Sequence, residues 1–273
     1  MLRILAFILL LTLSACKLLP EGLFSERTED QQDWSANKFY SEAKAKLNEG
    51  NYSAAIKLYE SLEARYPYGR IAQQAQLEIA YAHYKNDEPA SAIAAADRFI
   101  KLHPNHPNAD YAYYIKALSG FNDNWGMMGT LMRGPLKQDM SERDSRASYE
   151  SFENFKELVS RFPDSKYTPD ARQRMAYLLN SIAMNEVHVA RYYMKRKAYI
   201  AAANRAQNVV KEYPRTPATE EALYVMIRAY DALQMYDLRD DAERVMRLNF
   251  QNSYYLTELP EVGGKKWWEF WKN

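Results

Sequence analysis

The sequence predicts an all-α protein, a superhelical solenoid of five stacked helix hairpins. Three observations carry that expectation. Ala55, Tyr59, Leu62 and Tyr66 recur at i, i+4, i+7 and i+11, the spacing of one face of an α-helix. The stripe returns as Ala92, Ala96, Phe99, His103, as Ser151, Phe155, Leu158, Phe162, and as Ala202, Ala206, Val209, Tyr213. Each copy is followed at once by a proline (Pro67, Pro104, Pro163, Pro214), which disfavours helix in the residue before it. A second helical segment precedes each stripe, so the unit is a hairpin. One hairpin cannot bury its apolar face alone; neighbours must stack into a continuous core, curved around a groove suited to other polypeptides.

The chain opens with Arg3, an apolar run from Ile4 to Leu13, and Ser14-Ala15. That run is too short to cross a bilayer permanently and fits a cleaved signal peptide over residues 1–15. Leu13-Ser14-Ala15-Cys16 resembles the lipobox of bacterial lipoproteins, which makes Cys16 the lipidated first residue of the mature chain. Cys16 is the sole cysteine, so no intramolecular disulfide forms even in an oxidising compartment. By the same resemblance, Lys17 directs the protein to the outer membrane, lipid-anchored on the periplasmic face. Residues 16–34, with Pro20, Gly22 and a polar run, read as a tether reaching about 20–25 Å.

The repeats are expected at 35–67, 68–104, 105–163, 164–214 and 215–252. In the first, Ser35 is an N-cap candidate and Gly50-Asn51 makes the turn. In the second, Pro89 opens the second helix, where proline is tolerated in a first turn. Its stop proline lies 37 residues after the first, against roughly 34 in the commonest tetratricopeptide repeat, so the units are tetratricopeptide-like. The third unit carries an insertion at about 121–144, rich in Gly and Met, of the kind that is functional or mobile. The fourth needs a long first helix, near Pro169 to Lys195. The fifth is expected to have a slipped stripe (Leu238, Ala242, Val245) and a polar, capping outer face. A tail over 253–273 ends in KKWWEFWKN, a mixture of aromatic and basic groups that fits an interfacial or docking peptide.

With 47% apolar and 26% charged residues, the composition is that of a folded protein. A net charge of +1 argues against an extended nucleic-acid surface. The 22 tyrosines suit partly wet contacts, each pairing a flat ring with a hydroxyl. The four histidines have no metal-site spacing, and no phosphate loop, nucleophile elbow or HExxH helix is present. Glu60-Ser61 and Glu150-Ser151 resemble a Glu-Ser pair of lytic transglycosylases, but both fall inside repeat helices. The reading is therefore no enzyme, no metal, and no cofactor beyond the covalent lipid.

RYPYG (65–69), QQAQLEIAYAHYKN (73–86), DRFIKLHPNHPNADYAYY (97–114), SERDSRA (141–147) and ANRAQNVVKEYPRTPAT (203–219) occur in this order behind the lipobox. Together they resemble the BamD family, lipoprotein subunits of the outer-membrane β-barrel assembly machinery. That resemblance implies a non-catalytic subunit that binds unfolded outer-membrane proteins by their terminal β-signals. It also implies docking on a POTRA domain of BamA and on other Bam lipoproteins. It implicates Tyr66 and Arg205 in recognition or docking; Tyr66, with Tyr68 and Tyr84, is expected in signal binding and Arg205 in BamA docking. The Trp-rich tail falls outside the family pattern. The alternatives are another repeat lipoprotein, such as a secretin pilotin or cell-envelope factor, and a muralytic enzyme.

Overall fold

The computed structural model describes residues 33–122 and 145–258. The signal peptide, Cys16 with its tether, the insertion beyond Asn122 and the tail beyond Glu258 lie outside the described residues. Ten helices form five successive pairs: α1 (Ala36–Asn48) with α2 (Tyr52–Arg65), α3 (Arg70–Lys85) with α4 (Pro89–Leu102), α5 (Ala109–Asn122) with α6 (Ser145–Arg161), α7 (Thr168–Lys195) with α8 (Tyr199–Glu212), and α9 (Ala218–Ala232) with α10 (Tyr236–Asn249). A short α11 (Tyr254–Glu258) follows. No strand occurs among the described residues. The chain is the all-α solenoid of helix hairpins that its periodicity predicts.

Each stripe is the buried face of a second helix. Ala55, Tyr59, Leu62, Ala92, Ala96, Phe99, Ser151, Phe155, Leu158, Ala202, Ala206 and Val209 are all fully buried. The fourth member of every stripe is the residue that ends the helix. The N–H groups of Tyr66, His103, Phe162 and Tyr213 donate to the carbonyls of Leu62, Phe99, Leu158 and Val209. Phe250 does the same to Met246, although no proline follows it. This corrects the expected register of the fifth stripe. Met246 and Phe250 keep the common phase, Ala242 is buried, and Leu238 and Val245 are exposed.

Turns inside the hairpins share one design. Gly50, Asp87, Lys197 and Gln234 each stand two residues past a first helix with φ near +60° to +80°. The turn residue's N–H and the next one donate back to the helix end, as in Gly50 to Leu47 and Asn51 to Lys46, a Schellman arrangement. At the other end of α1, Ser35 Oγ accepts from the Lys38 N–H at 3.3 Å.

Each of α1 to α10 packs on its chain neighbours, and α1 also lies against α3, α3 against α5, and α7 against α9. Among the described residues no two second helices approach each other comparably. First helices are crowded and second helices splayed, which places the first helices on the inner side of the curve.

Candidate functional site

A band of aromatic rings runs along the inner side. Tyr81 and Tyr84 on α3, and Tyr111 and Tyr114 on α5, sit three residues apart and so share a helix face. Tyr81 meets Tyr111 at 6.5 Å between ring centroids, Tyr111 meets Tyr167 at 5.4 Å, and Tyr114 stacks on Tyr167 at 4.6 Å. Phe121 at the end of α5 meets Tyr177 of α7 edge-on at 6.0 Å. Side chains therefore bridge α5 and α7. These rings are half-buried, except for the more exposed Tyr177.

Two carboxylates lie near the band, and one of them, Asp170, holds a band ring directly. Glu78, only 8% exposed, accepts from Lys44 Nζ at 2.9 Å and from the Tyr40 hydroxyl and Gln74 Nε2 at 3.3 Å. A buried charge is tolerable when it is paired and hydrogen-bonded in this way. Burial and the Glu78 charge push the Tyr40 phenol up to about 12, and burial and Glu78 likewise raise Tyr59 and Tyr111. Asp170 accepts from the Tyr114 hydroxyl at 2.7 Å and from Arg174 Nε at 2.6 Å. Burial would raise the Asp170 carboxyl, but these two hydrogen bonds and the Arg174 charge together hold it below the usual carboxylate range. Burial and the hydrogen bond to Asp170 raise the Tyr114 phenol in the same direction, and the band offers apolar ring faces with polar tips, suited to peptides.

The residues singled out in the sequence are not gathered at one spot. Tyr66 ends α2, and its hydroxyl donates to the Trp34 carbonyl at 2.9 Å, tying α2 to the start of α1. Tyr68, two residues on, is 91% exposed. Tyr84 lies at the far end of α3, which at 1.5 Å per residue is roughly 24 Å from the turn holding Tyr68. Arg205 sits on α8 off the buried stripe, with its Nη1 bound to both oxygens of Glu186 at 3.0 and 3.2 Å. Cys16 lies outside the described residues. Glu78, Tyr111, Tyr114, Tyr167, Asp170 and Arg174 were not singled out by the sequence. The i, i+3 pairing of tyrosines in Y-A-H-Y and Y-A-Y-Y was the available signal.

Among the described residues no group of three or more His, Cys, Asp or Glu could hold a metal ion. His103 and His106 instead pack against Phe99, each at 5.2 Å. No helix among those residues is long and apolar enough to cross a membrane.

A family model described as "Outer membrane lipoprotein" (YfiO) matches residues 32–245. Outer membrane protein assembly factor BamD of Neisseria meningitidis is 46% identical, over 96% of this chain and 96% of its own. The protein of the same name from Vibrio cholerae is 36% identical over 80% of this chain and 88% of its own. That from Haemophilus influenzae is 32% identical over 86% and 88%. A solved kinesin light chain structure of TPR-like repeats covers 80% of this chain and 96% of its own at 15% identity, with a TM-score of 0.34. The family match and these long, full-length similarities place the chain in the YfiO family of outer membrane lipoproteins, the family of the assembly factor BamD.

Proposed function

We propose that the chain is a non-catalytic subunit of the outer-membrane β-barrel assembly machinery, lipid-anchored through Cys16 and facing the periplasm. Its first repeats and tyrosine band receive extended segments of unfolded outer-membrane proteins, with Tyr66, Tyr68 and Tyr84 among the contacts. Its fourth and fifth repeats dock on a POTRA domain of BamA, with Arg205 in the interface, and on other Bam lipoproteins.

The tyrosine band carries this reading. Alternate side chains of an extended strand repeat about every 6.6 Å, and successive rings along the band are 5.4 and 6.5 Å apart. A strand lying across the first helices can therefore place every second side chain over successive rings and offer its backbone to the hydroxyls. Tyr68 is the most available contact, whereas the Tyr66 hydroxyl already has a partner. Arg205 can share its remaining donors with a partner carboxylate, because a guanidinium has five.

Depletion of the protein tests the reading: general loss of folded outer-membrane barrels is expected. Loss of a single secretin would instead point to a pilotin, and peptidoglycan cleavage by the purified protein would refute the non-catalytic role. Cys16→Ala should release a folded protein from the membrane. Arg205→Glu faces Glu186 and should weaken co-purification with BamA while helicity is kept.

A further inference from the structure

The turns between the first three hairpins and the turn into α7 form one edge of the solenoid, tied together by side chains. The Tyr66 hydroxyl donates to the Trp34 carbonyl at 2.9 Å, which seats the start of α1 beside the first turn. His103 Nε2 donates to Gln76 Oε1 at 2.9 Å, and Ser165 Oγ donates to Asp110 at 2.6 Å, joining the second and third turns to their neighbours. Beyond that point α7 leaves the edge. Its 28 residues run about 42 Å, and the 14 residues of α8 return only half of that. The Tyr213 phenol at the end of α8 is accordingly raised by burial and by the charge of Glu186, midway along α7. The last two hairpins therefore stand about 20 Å off this edge.

Charge is unevenly placed on the edge. Lys38, Arg65, Arg70, Lys101, Arg161 and Lys166 are exposed in its turns and the helix ends beside them, against two exposed carboxylates, Asp33 and Asp164. The other carboxylates there are bonded inward: Glu63 accepts from Gln76 at 2.9 Å, Asp110 from Ser165, and Asp170 from Tyr114. Arg65, Lys101 and Arg161 end helices, where the helix dipole favours a cation. Arg70 and Lys38 lie in first turns, where it disfavours one, so the dipole does not account for them. Tyr68 and Leu102, 91% and 53% exposed, stand among these cations, and such a mixture of rings, apolar groups and cations suits the headgroup level of a bilayer. The chain also enters the solenoid here, at Trp34. A segment as long as residues 16–34 reaches about 20–25 Å, so a lipid on Cys16 keeps this edge close to the bilayer. Tethering raises the effective concentration of the surface, and each Lys or Arg near anionic lipid strengthens binding about fivefold.

We infer that this edge lies on the lipid surface that holds the Cys16 acyl chains, with its cations against anionic phospholipid headgroups. This rests on the lipid anchor proposed above and adds an orientation to it. The first three hairpins lie edge-on to the bilayer, the last two stand away from it, and the client contact given to Tyr68 falls at the membrane face. Cys16 is the sole cysteine and on that reading its thiol is acylated, so one added cysteine takes a fluorophore at a chosen place. N105C reports the edge, and S53C, at the start of α2, reports a point about 20 Å away on the opposite side. The lipidated full chain is reconstituted on vesicles of phosphatidylethanolamine and phosphatidylglycerol doped with a headgroup-nitroxide lipid. The N105C probe should be quenched and the S53C probe should not. Quenching should be lost on phosphatidylcholine vesicles, at high salt, and in the variant R70E/K101E/K166E, while the protein still floats with the vesicles. Equal quenching at the two sites overturns the orientation. A difference that persists on phosphatidylcholine or in the charge-reversed variant overturns the headgroup contact. Either result leaves the anchor standing, whereas protein that does not float with vesicles overturns the anchor and this inference with it. If the variant loses its helical circular dichroism, the salt arm decides: quenching indifferent to salt overturns the headgroup contact.

Discussion

In the first three hairpins the large, fully buried side chains include four aromatics, Phe39, Tyr59, Phe99 and Phe155; after Leu178 they are Val187, Leu223 and Met246. At one stripe position α2 has Tyr59 and α6 has Phe155, whereas α4 and α8 both have alanine, Ala96 and Ala206. The last hairpins pack through alanines, including Ala190, Ala202, Ala203, Ala206, Ala222 and Ala229, and carry large apolar groups outside. Tyr192, Ile200, Tyr236, Leu238, Leu248 and Tyr254 are all exposed. One region turns its aromatics inward along a groove and the other turns its apolar surface outward. On the proposed function the first would suit a flexible strand and the second a folded surface. The outer face of the fifth repeat carries the polar residues expected of a cap, with Asp237, Asp240, Asp241, Arg244 and Arg247 exposed, but apolar residues interrupt it. Leu238, Val245 and Leu248 lie on the outer side of α10, as at a stack end that another protein covers.

The comparison can be broken by substitution. Phe155→Ala should cost the most, about 3–5 kcal/mol in a urea unfolding curve, because it opens a cavity beneath Tyr114 and Phe121. Ala206→Leu, at the same stripe position, should cost about 1–3 kcal/mol by overpacking. If Ala206→Leu is neutral, the claim of close alanine packing in the last hairpins fails. Tyr66→Phe should cost about 1 kcal/mol through the lost bond to Trp34, while Tyr68→Ala should leave stability unchanged and weaken client binding. The reverse pattern would exchange the roles of the two residues. Val245→Glu with Leu248→Glu should shift stability by no more than about 0.5 kcal/mol per site, yet abolish capture of BamA in a pull-down. Unchanged capture would remove this face from docking.

The smallest effect is on pH dependence. Asp170 has a folded pKa below its unfolded value of about 3.9, so its stabilisation is present above that value. It is lost as pH falls through the folded pKa. Asp170→Asn should flatten the acid limb of a melting-temperature profile and leave the slope near neutral pH alone.

Much of the fold was legible because the stripes and their prolines are backbone physics written in single residues. The phase of the fifth stripe was not, since Leu238 and Val245 are apolar for a reason other than burial. Gly50 announced its turn, whereas Asp87, Lys197 and Gln234 adopt the same left-handed conformation without a glycine to mark it. The groove chemistry was the least legible part. Tyrosines at i and i+3 are visible in the sequence, but the meeting of Tyr114 with Asp170 spans 56 positions and depends on how α5 and α7 stack. Local pattern cannot supply that pairing.

Among the described residues each helix packs chiefly on those one or two places away along the chain, so the stack is built from local joints. Small rotations at successive joints therefore accumulate rather than cancel. A protein made this way behaves as a spring: tension between the membrane and a partner on the last hairpin would spread over every joint. The width of the space between the first helices would then report, from a distance, a load on the far end.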